Sequence, residues 1–136
     1  MKKSLLLILL VFLLASCATV PRTHLTPNDA AMLQGSWTGN RDMIWGRYRS
    51  FDATTLVIEN NTLPLKGVLT IGMHEGRYPV SYPFENGAID PEGNLILVLK
   101  PEIRAVLTHS NEGGKEKLYG YYNYMNMQGT LSLIKK

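Results

Sequence analysis

The chain has 136 residues, a length that suits one domain with its own hydrophobic core. Its single cysteine excludes a disulfide framework. The formal net charge is +3, from 14 basic and 11 acidic residues, and the sequence shows no concentrated basic face of the kind that nucleic-acid binding needs. The composition therefore predicts a small globular domain without a nucleic-acid partner.

The N-terminus has the pattern of a secretory signal. Residues 1–3 are positively charged, and residues 5–15 form an unbroken apolar run. That run is too short for a bilayer, which needs roughly 20 residues. It has the length of the apolar region of a signal peptide.

The apolar run ends in Leu14-Ala15-Ser16-Cys17, which resembles the lipobox of bacterial lipoproteins. The resemblance implies cleavage before Cys17, a diacylglycerol on its thiol and an acylated amino terminus. Two or three acyl chains anchor stably, whereas one binds only marginally. Ala18 implies sorting to the outer membrane, at its periplasmic face, or to the cell membrane in a host without an outer membrane. The alternative is an ordinary cleavable signal with an unrelated cysteine.

The chain is accordingly predicted to have three parts. Residues 1–16 are the signal peptide, residues 17–26 are the lipidated cysteine and a tether, and residues 27–136 are a single domain. Two of the 14 basic residues lie in the signal, so the remaining chain has 12 basic and 11 acidic residues and is close to neutral.

A short helix opens the predicted domain. Thr26 is a typical N-cap, Pro27 suits the first helical position, and Asp29 lies in the first turn. Gly35 is a typical residue after a helix end. A helix is therefore predicted over residues 27–34.

Beyond Gly35 the hydrophobic pattern changes to a period of two, which indicates β-strands. Turns are predicted at residues 60–61, 85–87, 90–93 and 111–114, where Asn, Asp and Gly concentrate. About eight short strands with such connections predict an all-β antiparallel meander, either a sandwich or a barrel. Eight strands suffice to close a small barrel.

The stretch Gly35-Ser36-Trp37-Thr38-Gly39, placed between a short helix and a β meander, resembles the calycin superfamily of lipocalins, fatty-acid-binding proteins and avidins. The resemblance implies a lipocalin-like up-and-down barrel in which Trp37 packs across the closed end. Lipocalins usually place an arginine late in the barrel to cover this tryptophan. Here the last strand offers only Lys135 and Lys136.

The barrel resemblance implies non-catalytic binding of a small apolar or amphipathic ligand, such as a lipid. The residues expected to line the interior are Trp37, Tyr78, Val80, Tyr82 and Phe84, and those expected at the rim are Trp45 and Tyr48. Residues 41–49 interleave aromatic and cationic side chains, which suits a glycan or an anionic head group. The same pattern also fits an edge strand with solvent-facing arginines and core aromatics.

Four tyrosines near the C-terminus suggest a second function. Strand alternation places Tyr119 and Tyr121 on one face and Tyr122 and Tyr124 on the other, so one pair lies outside the barrel. Tyr122 and Tyr124 are predicted as that outer, partner-binding pair. They point to the alternative of an envelope protein-interaction module, acting as an assembly accessory or a hydrolase inhibitor.

No catalytic or metal-binding motif is evident. The sequence GSWTG lacks the central serine of a nucleophile elbow. His24, His74 and His109 are scattered without a partner at ligand spacing. Met125 and Met127 suggest a soft copper site with Met73 and His74, but methionines also fill gaps in a core. The prediction is a protein that is not an enzyme and holds no cofactor or metal.

Overall fold

The computed structural model describes residues 21–72 and 78–136. The predicted signal peptide, the predicted lipidation residue Cys17, and Met73 and His74 lie outside the described residues. No helix in the described part of the chain is both long enough and apolar enough to cross a membrane.

The described residues form one short helical segment and nine strands. Strand β1 is Arg22–Thr23, and a 3-10 turn at Pro27–Asp29 leads into helix α1 at Ala30–Leu33. The remaining strands are β2 (Gly35–Trp45), β3 (Tyr48–Ile58), β4 (Leu65–Ile71), β5 (Val80–Ile89), β6 (Leu95–Lys100), β7 (Ile103–Glu112), β8 (Lys115–Tyr124) and β9 (Met127–Lys135).

Strands β2 to β9 form a closed eight-stranded antiparallel barrel. Each strand pairs with the next one along the chain, and β9 returns to pair with β2, where Trp37 lies opposite Lys135. Strand β1 adds to β7 beyond the end of β6. The all-β up-and-down barrel with one short N-terminal helix is therefore confirmed.

The predicted tether is wrong for its last residues. Arg22 and Thr23 pair with Ser110 and His109 of β7, and Leu25 is only 1% exposed. Leu25 packs in the same core as the barrel side chains. Apolar burial thus fixes this segment to the barrel, so the domain includes residues from Arg22 onward.

The hairpin predicted at residues 85–87 is also wrong. Strand β5 continues through this stretch to Ile89, and its register with β4 shifts there in a bulge. Gly87 is needed for packing, because a Cβ on it would lie 2.8 Å from the Cβ of Leu65. The chain turns later, where Asp90 accepts a hydrogen bond from the Asn94 amide at 2.7 Å.

One end of the barrel, the closed end, is capped by helix α1. The indole nitrogen of Trp37 donates to the carbonyl oxygen of Leu33 at 2.9 Å, and both side chains are fully buried. Lys135 places its ammonium 5.4 Å from the Trp37 ring and donates to the carbonyl oxygen of Met32. Lys135 therefore covers the Trp37 ring at the closed end, a role that the sequence analysis did not assign to it.

Glycines on the inward face allow the barrel to close tightly. A Cβ at Gly39, Gly67 or Gly120 would lie 1.9–2.0 Å from a carbonyl oxygen of the neighbouring strand. Glycine inside a strand commonly marks such a close backbone approach or a tight bend. The barrel is therefore small, and its side chains fill the interior as one continuous core.

Candidate functional site

The opposite end of the barrel, here called the mouth, carries the β2–β3, β6–β7 and β8–β9 hairpins. Just inside it lies a buried group of polar side chains, Arg41, Asp52 and Tyr122, which we call the mouth cluster. Their exposed fractions are 9%, 3% and 0%. Polar groups inside a small barrel are costly to bury and so mark a candidate site.

Arg41 and Asp52 form a buried ion pair. They lie directly opposite each other on β2 and β3. The Arg41 Nη2 and Nε atoms are 2.5 and 3.2 Å from Asp52 Oδ2, and the two side chains are 11% and 2% exposed. An apolar pair of similar volume would often be at least as stable in such a place. The pair is therefore a candidate for a role in binding.

The sequence analysis missed this pair, although a signal for it exists. Arg41 follows Trp37 at an even spacing in β2, and Asp52 precedes Leu56 at an even spacing in β3. Because side chains alternate along a strand, each charged residue shares the inward face of its apolar neighbour.

Tyr122 completes the cluster. Its ring centroid lies 5.4 Å from Arg41 Cζ, a cation–π arrangement. Within the described residues its hydroxyl has no hydrogen-bond partner. Burial raises the pKa of Tyr122 to about 12; nearby Tyr82 adds to the increase and Arg41 opposes it. The hydroxyl is therefore protonated near neutral pH, beside the side chains of Arg41 and Tyr82.

The prediction that Tyr122 and Tyr124 face outward is wrong. Tyr122 is fully buried, and Tyr124 is partly buried and packs against the core. Across the sheet Tyr122 lies opposite Ala105 of β7 and Gly129 of β9. These small residues leave the interior space that the ring occupies.

The outward tyrosines of β8 are Tyr119 and Tyr121, which are 39% and 57% exposed. They border a groove of about 610 Å³ on the outer face of β7, β8 and β9. The outward side chains along the groove are Val106, Thr108, Tyr119, Tyr121, Thr130 and Ser132.

The residues predicted to line a ligand cavity occupy different environments. Trp37 and Phe84 are core residues, 0% and 3% exposed. Val80 and Tyr82 are half-buried on the same face of β5 as Phe84. Tyr78 is 91% exposed and does not line the interior, so that part of the prediction is wrong. Side chains fill the interior where a deep ligand cavity would lie. The mouth is therefore the remaining place for a ligand.

Exposed aromatic side chains stand at the mouth. Trp45 is the last residue of β2 and Tyr48 is the first residue of β3, on either side of the hairpin turn. Their side chains are 64% and 75% exposed, and their ring centroids lie 6.1 Å apart. In the stretch predicted to interleave cations and aromatics, Arg41 points inward, and Arg49 pairs with Asp42 at the surface. The stretch is therefore neither a uniform cationic surface nor an edge strand with buried aromatics.

Among the described strands of the barrel, β5 and β6 have the fewest paired residues, and we call this junction the seam. In the described structure these strands pair only at Ala88–Ile96 and Ile89–Leu95. Along an antiparallel strand, the backbone N–H and C=O groups of successive residues face the two neighbouring strands in turn. The Asn94 carbonyl faces β5, because it accepts from the Asp90 amide at 2.9 Å. The backbone amide of Val98, four residues later and in the mouth half of β6, therefore also faces β5, at the unpaired part of the seam.

At the closed end, His109 is 2% exposed and lies edge-on to Trp37 at 6.3 Å. Both of its ring nitrogens lack a hydrogen-bond partner within the described residues. Burial lowers the pKa of His109; Glu116 and Asp29 act in the opposite direction. Across residues 21–72 and 78–136, no group of three or more His, Cys, Asp or Glu side chains is placed to hold a metal ion.

Comparison of the chain with protein-family models, with curated proteins and with solved structures finds no match. The candidate site is therefore interpreted from its own geometry.

Proposed function

We propose that this protein is a lipid-anchored, non-catalytic barrel of the bacterial envelope that binds a small amphipathic, lipid-like ligand at its mouth. The observation that carries the proposal is the mouth cluster, where a buried tyrosine hydroxyl has no hydrogen-bond partner among the described residues and lies beside a buried ion pair. Such an unsatisfied donor is costly and is expected to have a role.

The surroundings of the mouth cluster suit an amphipathic molecule. Ligand sites are mostly apolar, with a few placed polar groups that fix the orientation. Tyr82, Tyr124 and Met127 are partly buried on the mouth halves of their strands, and Trp45 and Tyr48 offer exposed rings beyond them. An alkyl chain would contact these side chains while a polar head reaches the cluster.

The anchor is proposed from Leu14-Ala15-Ser16-Cys17 alone, and the location from Ala18. From Cys17 to Arg22 the chain reaches about 17 Å at most, at roughly 3.3 Å per residue. Strand β1 lies beside His109, near the closed end. An acylated Cys17 would therefore hold the closed end near the membrane and direct the mouth away from it.

The ligand is tested by mass spectrometry on residues 18–136, exported without Cys17. We expect a non-covalent adduct in the lipid range that is present in the native mass and absent after denaturation. The Trp45→Ser/Tyr48→Ser variant should lose most of the adduct, whereas the control Tyr119→Ser/Tyr121→Ser should keep it. A clean native mass that persists after incubation with extracted envelope lipids would count against the proposal.

The anchor is tested separately by metabolic labelling with palmitate. The intact chain should incorporate the label and fractionate with the outer membrane, and Cys17→Ala should do neither. Label that remains on the Cys17→Ala variant would exclude this lipidation site.

A second function, as an envelope protein-interaction module, is favoured by the outer groove that Tyr119 and Tyr121 border. It predicts that crosslinking in whole cells captures a defined envelope protein. Tyr119→Ser/Tyr121→Ser should lose that protein, whereas Phe51→Ser, which changes another exposed aromatic residue, should retain it. Equal capture by both variants would contradict this function.

A further inference from the structure

We propose that the mouth cluster selects ligands whose head group is an uncharged hydrogen-bond acceptor, such as an ester or amide carbonyl, over ligands that end in a carboxylate. This inference rests on the proposed function and specifies the chemical class of its ligand. It follows from the charge balance of the cluster and from the donors that the cluster leaves free.

The charge of the cluster is already balanced. Arg41 directs two of its nitrogens to the same oxygen of Asp52, at 2.5 and 3.2 Å. A ligand carboxylate beside Arg41 would bring a second negative charge close to Asp52 in a water-poor interior. Two carboxylates that share such a site disfavour each other's charged form. An uncharged head group avoids this repulsion.

The cluster nevertheless keeps donors. The Tyr122 hydroxyl is buried and without a partner in the described structure. The hydrogen bonds of Arg41 to the described residues involve Nε and Nη2, which leaves Nη1 and its two N–H groups free of described partners. A carbonyl oxygen has two lone pairs and can accept from a tyrosine hydroxyl and a guanidinium together.

Of the two donors, Arg41 is the one that solvent reaches, because Tyr122 is fully buried. The Arg41 side chain keeps 11% exposure, whereas Asp52 keeps 2%. Arg41 lies between buried Trp37 and the exposed Trp45 on β2, nearer the mouth than the closed end. A head group that enters from the mouth therefore meets Arg41 before it meets the more deeply buried Asp52 and Tyr122.

The experiment compares four ligands of one alkyl length: a fatty acid, its methyl ester, its primary amide and the parent alkane. Each displaces an apolar fluorescent dye from residues 18–136 at a pH where the free acid is ionised. The ester and the amide are expected to bind at least about tenfold tighter than the acid, because the acid head is repelled by Asp52, and tighter than the alkane, which leaves the donors unpaired.

Two variants assign the preference to the cluster. Tyr122→Phe keeps the ring and removes a hydroxyl that has no hydrogen-bond partner among the described residues, so folding should be preserved. It should abolish most of the preference for the ester over the alkane. Asp52→Asn removes the negative charge and should shift the preference toward the acid. If Asp52→Asn does not fold, the native protein is titrated with the fatty acid below its pKa, where the neutral acid should bind like the ester.

The outcomes separate this inference from the proposed function. If neither the ester nor the alkane displaces the dye, ligand binding at the mouth is wrong. If all four ligands bind equally, or the acid binds most tightly, the barrel binds lipids but the proposed selectivity is wrong. An ester preference that survives in Tyr122→Phe would assign the selectivity to another part of the mouth and overturn the role given to the cluster.

Discussion

Lys135, on the last strand, lies with its ammonium 5.4 Å from the ring of Trp37, on the first strand of the barrel. The same ammonium donates to the carbonyl oxygen of Met32 and lies 3.2 Å from Glu116. One side chain thus joins helix α1, strand β2 and strand β8 at the closed end.

Lys135→Ala should lower the free energy of unfolding by about 1–2 kcal/mol, through loss of the cation–π contact and of the hydrogen bond to Met32. Urea denaturation measures this change. The matched control Lys136→Ala changes an exposed lysine and should stay within about 0.5 kcal/mol of the parent. Equal losses in the two variants would show that the contact with Trp37 contributes no stability.

The Arg41–Asp52 pair should behave as a coupled unit. Arg41→Met leaves the Asp52 carboxylate buried without its partner and should cost about 3–5 kcal/mol. The double variant Arg41→Met/Asp52→Leu removes both charges and should recover most of that loss. Denaturant unfolding of Arg41→Met, Asp52→Leu and the double variant gives the coupling energy. A double variant as unstable as the sum of the single variants would contradict the pairing.

The protein should become less stable as the pH is lowered, because of His109. Burial lowers its pKa in the folded state below its ordinary value of 6.5, so the folded protein keeps the ring neutral. As the pH falls below about 6.5, the unfolded chain binds a proton that the folded chain does not, and the free energy of unfolding decreases down to the folded-state pKa. Above about 6.5 this contribution is constant.

The variant His109→Phe tests that assignment, since it keeps an aromatic ring beside Trp37 and removes the titrating group. The slope of stability against pH between about pH 6.5 and pH 5 should become smaller than in the parent. If His109→Phe kept the slope of the parent protein, another titrating group would be responsible for the pH dependence of stability.

The seam between β5 and β6 should be visible in amide hydrogen exchange. The Val98 amide points toward the unpaired part of the seam and should exchange rapidly. The adjacent Leu97 amide points toward β7, where Leu97 lies opposite Ala105, and should be protected. NMR on the native protein compares the two neighbours directly. Equal protection of both amides would show that the seam is closed in solution.

The sequence determined most of the local structure. Alternating side chains marked the strands, Thr26 with Asp29 marked the start of the helical segment, and the glycines of residues 111–114 marked the β7–β8 turn. These features depend on neighbours within a few residues, so a local pattern suffices to predict them. Eight strands with short connections also predicted an antiparallel meander, and the resemblance carried by residues 35–39 favoured the barrel that the structure shows.

The tertiary structure decided what depends on residues far apart in the chain. Tyr122 turns inward because Ala105 and Gly129, on two other strands, leave room for its ring. Residues 85–87 carry a hairpin signal but continue a strand, since β4 pairs with them through a bulge. The mouth cluster and the lysine over Trp37 arise in the same way, because barrel closure sets which inward side chains meet.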